Sequence, residues 1–174
     1  MKVSIRLAKK SDIKKYTGLL QKVYQTSYTD ERLGLTKDCF SRKVFSTSRN
    51  QEYLKSNLVI NSKQKTWLAF VRSKLLASIT IIDRGKECEL RGFYTSHEYQ
   101  GHGIGKQLWK YAKNFAKDKD IVLDLYAHNR KTINLYKKWG FVIDKKRGIF
   151  YRHWPEWPKG LKAKCLYMRL KTRK

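Results

Sequence analysis

The chain has 174 residues, 41% of them hydrophobic and 13% aromatic, which is enough apolar surface for one packed core without disulfides or metals. Its 40 Lys and Arg against 14 Asp and Glu give a net charge of +26, which attracts polyanions and carries no information about fold. No apolar run approaches the roughly 18 residues of a membrane helix, and the N-terminus alternates like a strand rather than a secretory signal. We therefore expect one cytoplasmic domain with no membrane contact.

The N-terminal part of the chain predicts a strand followed by helices. Residues 4–7 alternate like a short strand, and Ser11 and Asp12 are suited to cap a helix that reaches roughly Tyr28. Residues 36–61 show two further runs of helical spacing, separated by a stretch rich in serine and threonine. Two shorter helices are expected there.

The middle of the chain predicts three strands. Residues 66–72 and 75–83 are rich in β-branched and aromatic side chains and are joined by Ser73 and Lys74, which is typical of a hairpin. Residues 83–86 then form a turn that leads into a third strand at 87–95.

A glycine-rich loop with the sequence Gln-Gly-His-Gly-Ile-Gly follows at 100–105. It lies between the third strand and an amphipathic helix that begins near Ile104. A glycine-rich loop at a helix start aims several amide donors and the positive end of the helix dipole at one point. This placement predicts binding of a phosphorylated cofactor.

The C-terminal part predicts a buried strand, a helix and a closing set of strands. Residues 121–126 form a nearly continuous apolar run, and Asn129 is suited to cap a helix that ends at Gly140. Closing strands are expected at 141–145, 149–152 and 165–170. The three cysteines, Cys39, Cys88 and Cys165, have none of the short spacings that hold zinc, so we expect reduced core thiols and no metal.

Two segments resemble motifs of the GNAT N-acetyltransferase family. The first is 100–106, Gln-Gly-His-Gly-Ile-Gly-Lys, and the second is 129–141, which begins with Asn129, has Tyr136 seven residues later and ends in Gly-Phe. The chain departs from the family pattern in having Thr132 where alanine is usual. The resemblance covers about 90–141, and two motifs in the right order are far more specific than a glycine loop alone.

The resemblance implies an α/β fold in which helices flank a mixed sheet of about seven strands, splayed near its middle. It implies a single domain over 1–174, with an acetyl-CoA-binding core at about 86–143. Segments at about 11–62 and 147–164 would shape the acceptor site.

The resemblance also assigns donor contacts. The pantetheine of acetyl-CoA would lie in the splay, and a main-chain amide of Phe93 or Tyr94 would stabilise the developing oxyanion. The residues expected to contact the cofactor are Phe93, Tyr94, Thr95, Gln100, Gly101, His102, Gly103, Ile104, Gly105, Lys106, Asn129 and Tyr136. Plainer roles stay open at this stage: an ordinary tight turn for the glycines, a solvent-facing His102, and a helix cap for Asn129.

Two catalytic residues follow from the resemblance. Tyr136 would donate a proton or hydrogen bond to the departing CoA sulfur, with nearby lysines lowering its pKa. The alternative is a core tyrosine. Glu89 would act as general base, unless an ordered water chain does so or Glu89 only pairs with surface lysines.

The acceptor stays open between a small amine, a polyamine and a protein amine. A polyamine needs a local acidic pocket, built from Glu31, Glu52, Glu87, Glu89 or Glu156. The aromatic segment 151–157 either walls the acceptor pocket or plugs the sheet. The alternative function is a basic protein that keeps the fold, contacts nucleic acid or the ribosome, and has little or no turnover. Either a monomer or a homodimer is compatible with the sequence.

Overall fold

The computed structural model describes residues 2–172. Eight strands form one mixed sheet, and five α-helices pack on its two faces. The strands are β1 Ser4–Leu7, β2 Gln64–Val71, β3 Lys74–Asp83, β4 Glu87–Thr95, β5 Asp120–Tyr126, β6 Val142–Ile143, β7 Ile149–Arg152 and β8 Ala163–Leu170. The helices are α1 Ile13–Ser27, α2 Arg42–Phe45, α3 Ser48–Asn57, α4 Ile104–Ala116 and α5 Arg130–Lys138. No helix in residues 2–172 has both the length and the apolarity to cross a membrane.

The sheet runs in the order β1-β2-β3-β4-β5-β8-β6. Strands β1 to β4 pair antiparallel with their neighbours, β5 runs parallel to β4, and β8 is antiparallel to β5. Both β6 and β7 pair with β8, β6 at residues 168–169 and β7 at residues 163–166. Two short strands thus share one edge of the sheet.

The sheet separates two hydrophobic cores. One core lies under α1 and includes Tyr16, Leu20, Tyr94 and Tyr126. The other lies under α4 and α5 and includes Leu108, Ile133, Tyr136 and Leu123. Neighbouring residues of one strand, such as Leu125 and Tyr126, belong to different cores because side chains alternate along a strand. Both faces of the sheet are therefore covered.

The expected splay is confirmed between β4 and β5. These two strands pair only through Glu87–Glu89 and Asp120–Val122. Beyond that point β4 still pairs with β3 as far as Thr95, and β5 still pairs with β8 as far as Tyr126. The facing edges of 90–95 and 123–126 consequently separate and leave main-chain groups without a strand partner.

Most predicted elements are confirmed, and the differences have local causes. The sheet has eight strands rather than about seven, and the strand expected at 141–145 is reduced to Val142–Ile143. The β2–β3 turn is made by Arg72 and Ser73 rather than by Ser73 and Lys74, with Arg72 at a φ of 53°.

Asp12 precedes α1 as expected, but its carboxylate does not cap the helix. It accepts hydrogen bonds from both terminal nitrogens of Arg6, at 2.8 and 2.7 Å, and from the Lys9 amide at 2.8 Å. The bidentate guanidinium is a stronger partner for a carboxylate than a helix amide. Asp12 therefore joins β1 to the start of α1.

Candidate active site

A cavity of about 1360 Å³ passes through the splay between β4 and β5. It is larger than the roughly 300–1000 Å³ of a typical small-molecule pocket. Its lining includes exposed Lys106 and Lys131 on the α4 side and exposed Arg49 and His153 on the α1 side. The cavity thus opens on both faces of the sheet.

On the α4 side the cavity begins at the glycine loop. Gly101 and Gly103 have φ of 83° and 76°, a left-handed conformation that favours glycine. Their amides donate to no main-chain carbonyl within residues 2–172, and the first-turn amides of α4 have no partner within the helix. A Cβ on Gly105 would lie 3.1 Å from the Phe93 ring. The loop therefore presents bare amide donors to the cavity.

Gln100 connects this loop to α5. Its Nε2 donates to the Thr95 carbonyl at 3.4 Å, and its Oε1 accepts from Lys131 Nζ at 3.1 Å. Lys106 lines the same part of the cavity. Two ammonium groups thereby flank the loop, and Lys131 is one that sequence reasoning missed.

Most of the predicted donor contacts lie together. Phe93, Tyr94, Thr95, Ile104, Asn129 and Tyr136 all line the cavity with the glycines, Gln100 and Lys106. His102 does not line it. The His102 side chain is exposed, and its Nδ1 lies 3.1 Å from the Gln100 carbonyl oxygen. Its inclusion among the cofactor contacts stays a prediction that this geometry does not support.

Asn129 makes the helix cap that its position predicts. Its Oδ1 accepts from the Thr132 amide at 3.1 Å, and its Nδ2 donates to the Ser27 carbonyl at 3.2 Å. The side chain therefore fixes the start of α5 against the end of α1. Because Asn129 also lines the cavity, the cap positions a wall of the site.

Tyr136 lies on the buried face of α5 and is 6% exposed. Burial raises the pKa of its phenol well above the ordinary value, and the negative charge of Asp124 raises it further. The expectation that lysines lower this pKa is wrong. Lys137 and Lys138 on the same helix are exposed, and water screens their charge from the phenol.

On the α1 side the cavity widens into an aromatic space that we call the α1-side chamber. The residues that line it include Tyr24, Tyr28, Arg49, Tyr53, Glu89, Arg91, Tyr94, Asp124, Tyr126, Arg152 and Trp154. The hydroxyls of Tyr24 and Tyr94 are 3.2 Å apart. The Tyr126 hydroxyl is buried and has no hydrogen-bond partner among the described residues.

The aromatic segment 151–157 contributes one tryptophan to the core and one to the lining of the chamber. Trp157 is buried, and its Nε1 donates to the Cys39 carbonyl at 3.0 Å. Trp154 stacks on Trp157 with ring centroids 5.7 Å apart and lines the chamber. Trp157 therefore packs in the core, and its stacking contact positions Trp154 in the wall of the chamber.

The carboxylates of the chamber are paired with arginines. Arg84 Nε donates to Glu89 Oε2 at 2.7 Å, and Arg91 Nε donates to Glu89 Oε1 at 3.3 Å. Arg152 donates to Oδ2 of Asp124, and Asp124 Oδ1 has no partner within residues 2–172. Of the five glutamates considered for an acidic pocket, Glu89 alone lines the cavity.

Sequence reasoning missed Asp124, Arg91 and Lys131. Asp124 is the single charged residue of the apolar run 121–126, which was an available signal, since a charge in a buried strand needs a reason. The position of Arg91 depends on a shift in strand register, which has no sequence signal. No group of three or more His, Cys, Asp or Glu side chains able to hold a metal ion occurs in the described part of the chain.

Solved structures share this architecture. The PaiA N-acetyltransferase of Thermoplasma acidophilum, determined in complex with coenzyme A, has a TM-score of 0.72 at 20% identity, covering 98% of this chain and 99% of that one. The ribosomal-protein-S18-alanine N-acetyltransferase of Escherichia coli gives 0.70 at 15% identity, covering 99% and 96%. A GNAT-family acetyltransferase of Streptococcus pneumoniae gives 0.64 at 22% identity, covering 97% and 99%. These likenesses show the fold.

At the level of sequence, no curated protein matches the chain. A sequence model described as the acetyltransferase (GNAT) family matches residues 22–141. That segment is more than half of the 174 residues and contains both motifs and the splayed strands. The chain therefore belongs to the GNAT acetyltransferase family, whose members transfer acyl groups from acetyl-CoA.

Proposed function

We propose that the protein is an acetyl-CoA-dependent N-acetyltransferase that moves an acetyl group to a primary amine by direct attack in a ternary complex. The observation that carries this proposal is the continuous cavity through the sheet. It reaches from the glycine loop past Tyr136 to the α1-side chamber. Two substrates can therefore meet at the splay without a covalent enzyme intermediate.

The donor occupies the α4 side. The amides of Gly101 and Gly103 and the first turn of α4 bind the pyrophosphate, and the ammonium groups of Lys106 and Lys131 neutralise its charge. The pantetheine arm lies between β4 and β5, where the unpaired main-chain groups accept and donate hydrogen bonds as a neighbouring strand would. The thioester then lies at the splay.

Transfer begins when the amine nitrogen attacks the thioester carbonyl. A main-chain amide of Phe93 or Tyr94, on the separated edge of β4, stabilises the oxyanion. As the carbon–sulfur bond breaks, the Tyr136 hydroxyl donates a hydrogen bond to the sulfur. Because burial raises the Tyr136 pKa, complete proton transfer to a thiolate with a pKa near 8.5 is uphill. Tyr136 therefore stays protonated as a hydrogen-bond donor, and the departing thiolate takes the proton that the new amide nitrogen loses.

The proton of the acceptor ammonium goes to a carboxylate of the chamber. Both oxygens of Glu89 are bound by guanidinium groups, so accepting a proton there requires an ion pair to open. Asp124 has one unpartnered oxygen, and its charge acts on Tyr136. We therefore propose Asp124 as the base, directly or through one water molecule, in place of Glu89.

The test is transfer from isotopically labelled acetyl-CoA to a panel of amino acids, polyamines, aminoglycosides and peptides, read by mass spectrometry. Acetyl-CoA binding is measured separately by calorimetry. We expect tight donor binding and stable amide products from one class of amine. Absence of acetyl-CoA binding would overturn the proposal, and binding without transfer to any amine would overturn its N-acetylation part.

A further inference from the structure

Arg91 is placed in the α1-side chamber by a β-bulge in β4. Along the β3–β4 ladder Ile81 pairs with Leu90 and Thr80 pairs with Gly92, so Arg91 has no partner residue on β3. A bulge interrupts the alternation of side chains and redirects the extra residue. Leu90 belongs to the α4-side core and Tyr94 to the α1-side core. The side chains of β4 thus change faces of the sheet between these two residues, and Arg91 lines the cavity at that point.

The guanidinium of Arg91 is only partly used by the protein. Its Nε donates to Glu89 Oε1 at 3.3 Å, and its two terminal nitrogens have no hydrogen-bond partner within residues 2–172. The side chain is 22% exposed, and its terminal nitrogens are not among the buried polar atoms that lack a partner, so a ligand in the chamber can reach them. Arg91 lines the same cavity as Tyr53 of α3. The two terminal nitrogens of the Arg91 guanidinium are thus available as hydrogen-bond donors to a ligand in the chamber.

The surroundings of Arg91 favour a small anion that also carries an amine. Glu89 and Val122 are the last paired residues of β4 and β5, so Arg91 and Asp124 begin the two sides of the splay. Asp124 has a free oxygen, and the buried Tyr126 hydroxyl has no partner among the described residues. An ammonium is suited to Asp124 and Tyr126, and a carboxylate to Arg91.

The charges of the chamber support the same conclusion. Arg49, Arg91 and Arg152 line it against Glu89 and Asp124, which leaves a formal excess of one positive charge. A polyamine meets repulsion there, and a phosphate dianion meets the two carboxylates at short range. A zwitterionic acceptor adds no net charge and can place its carboxylate by an arginine and its ammonium by a carboxylate.

We propose that the acceptor is a primary amine bearing a carboxylate, such as an amino acid, and that the terminal nitrogens of Arg91 bind that carboxylate. The inference rests on the proposed N-acetyltransferase function, whose acceptor class it specifies. Arg91 is then a specificity residue that orients the acceptor rather than a group that takes part in bond making. Loss of Arg91 raises KM for such acceptors and leaves amines without a carboxylate little affected.

The experiment compares amines that differ only in the carboxylate: phenylalanine with phenethylamine, tyrosine with tyramine, and lysine with cadaverine. In the wild type we expect kcat/KM to favour the carboxylate-bearing amine of each pair by about 10- to 100-fold, the range for a hydrogen bond between charged groups. Arg91→Gln should abolish this preference by raising KM for the carboxylate-bearing amine. Arg84→Gln is the matched control, because Arg84 binds the other Glu89 oxygen and does not line the large cavity. It should keep the preference.

A binding measurement separates this inference from the proposed function. With CoA present, calorimetry gives Kd for N-acetylphenylalanine and N-acetylphenethylamine, and for the other two product pairs, without any turnover. Tighter binding of a carboxylate member, lost in Arg91→Gln and kept in Arg84→Gln, supports the inference even if no amine is acetylated. The inference is overturned if no compound that bears the carboxylate binds or reacts better than the matching compound without it. It is also overturned by a preference that survives Arg91→Gln.

Discussion

Burial keeps the Tyr136 phenol protonated throughout the pH range in which an amine acceptor becomes reactive. Its pKa is raised by desolvation and by Asp124, and a group with a raised pKa holds its proton to higher pH. Between pH 7 and 10, the rate should therefore rise as the amine loses its proton, with no decline caused by Tyr136. This behaviour agrees with the role proposed for Tyr136, which is to donate a hydrogen bond to the CoA sulfur.

Tyr136→Phe removes the donor and little else. We expect kcat to fall about 100-fold, the lower end of the range for a positioned proton donor, while the Kd for acetyl-CoA changes less than threefold. Pre-steady-state transfer and calorimetry measure the two quantities. Tyr151→Phe, on an exposed tyrosine, is the control and should be silent. A Tyr136→Phe enzyme at full speed would contradict the leaving-group assignment.

The pH profiles of two variants distinguish Asp124 from Glu89 as the proposed general base. At pH 7 we expect Asp124→Asn to lower kcat/KM at least tenfold and Glu89→Gln to lower it less, because the Glu89 oxygens are already bound by arginines. The loss in Asp124→Asn should shrink towards pH 10, where the amine arrives without its extra proton. Equal losses at every pH would indicate a structural role for Asp124 instead.

At the scale of elements, the glycine loop depends on backbone conformation. Gly103 precedes α4 at a φ of 76°, and an alanine there is strained by about 1 kcal/mol. Gly103→Ala should raise the Kd for acetyl-CoA about 5- to 10-fold, measured by calorimetry. Gly18→Ala is the matched control, since Gly18 lies within α1 with no atom near a new Cβ. It should leave the Kd unchanged and raise the melting temperature.

The junction of β1 and α1 should respond to acid through Asp12. Its pKa is lowered chiefly by the hydrogen bonds from Arg6. A carboxyl with a lowered folded-state pKa stabilises the fold above its unfolded pKa of about 4 and loses that contribution as pH falls through the folded value.

Asp12→Asn should therefore cost about 1 to 2 kcal/mol of unfolding free energy at pH 7, nearer the lower figure because Arg6 is 40% exposed. The difference from wild type should diminish below pH 4. Urea unfolding at several pH values measures both. Asp118→Asn, on an exposed carboxylate, should show neither effect. A cost independent of pH would contradict the ion-pair explanation.

Sequence predicted the parts of this site that depend on neighbouring residues. The glycine loop, the Asn129 cap and Tyr136 are fixed by their own element and by spacing along the chain. The Arg91 bulge depends on pairing with β3, and the contact between Arg152 and Asp124 joins residues 28 positions apart. The Lys131 contact to Gln100 likewise spans 31 positions. Such contacts follow from tertiary packing, which periodicity does not encode.

At the scale of the whole molecule, the +26 charge predicts weak binding to RNA without sequence preference. Affinity should fall steeply between 50 and 200 mM salt, because each neutralised phosphate releases a counterion. Charge reversal of the exposed Lys110 and Lys113 on α4 and of the exposed Lys117 directly after it should reduce the salt slope by about three. Filter binding against a salt series measures this. No retention at 50 mM salt would remove the support for a nucleic-acid partner.

The cavity opens on both faces of the sheet, and this arrangement has a consequence for substrate traffic. In the proposed reaction, acetyl-CoA would enter beside Lys106 and Lys131, whereas the amine would enter beside Arg49 and His153. Neither substrate has to pass the other, so the geometry imposes no order of addition. After the proposed transfer, CoA and the acetylated product would leave through separate openings, and the departure of one would not depend on the departure of the other.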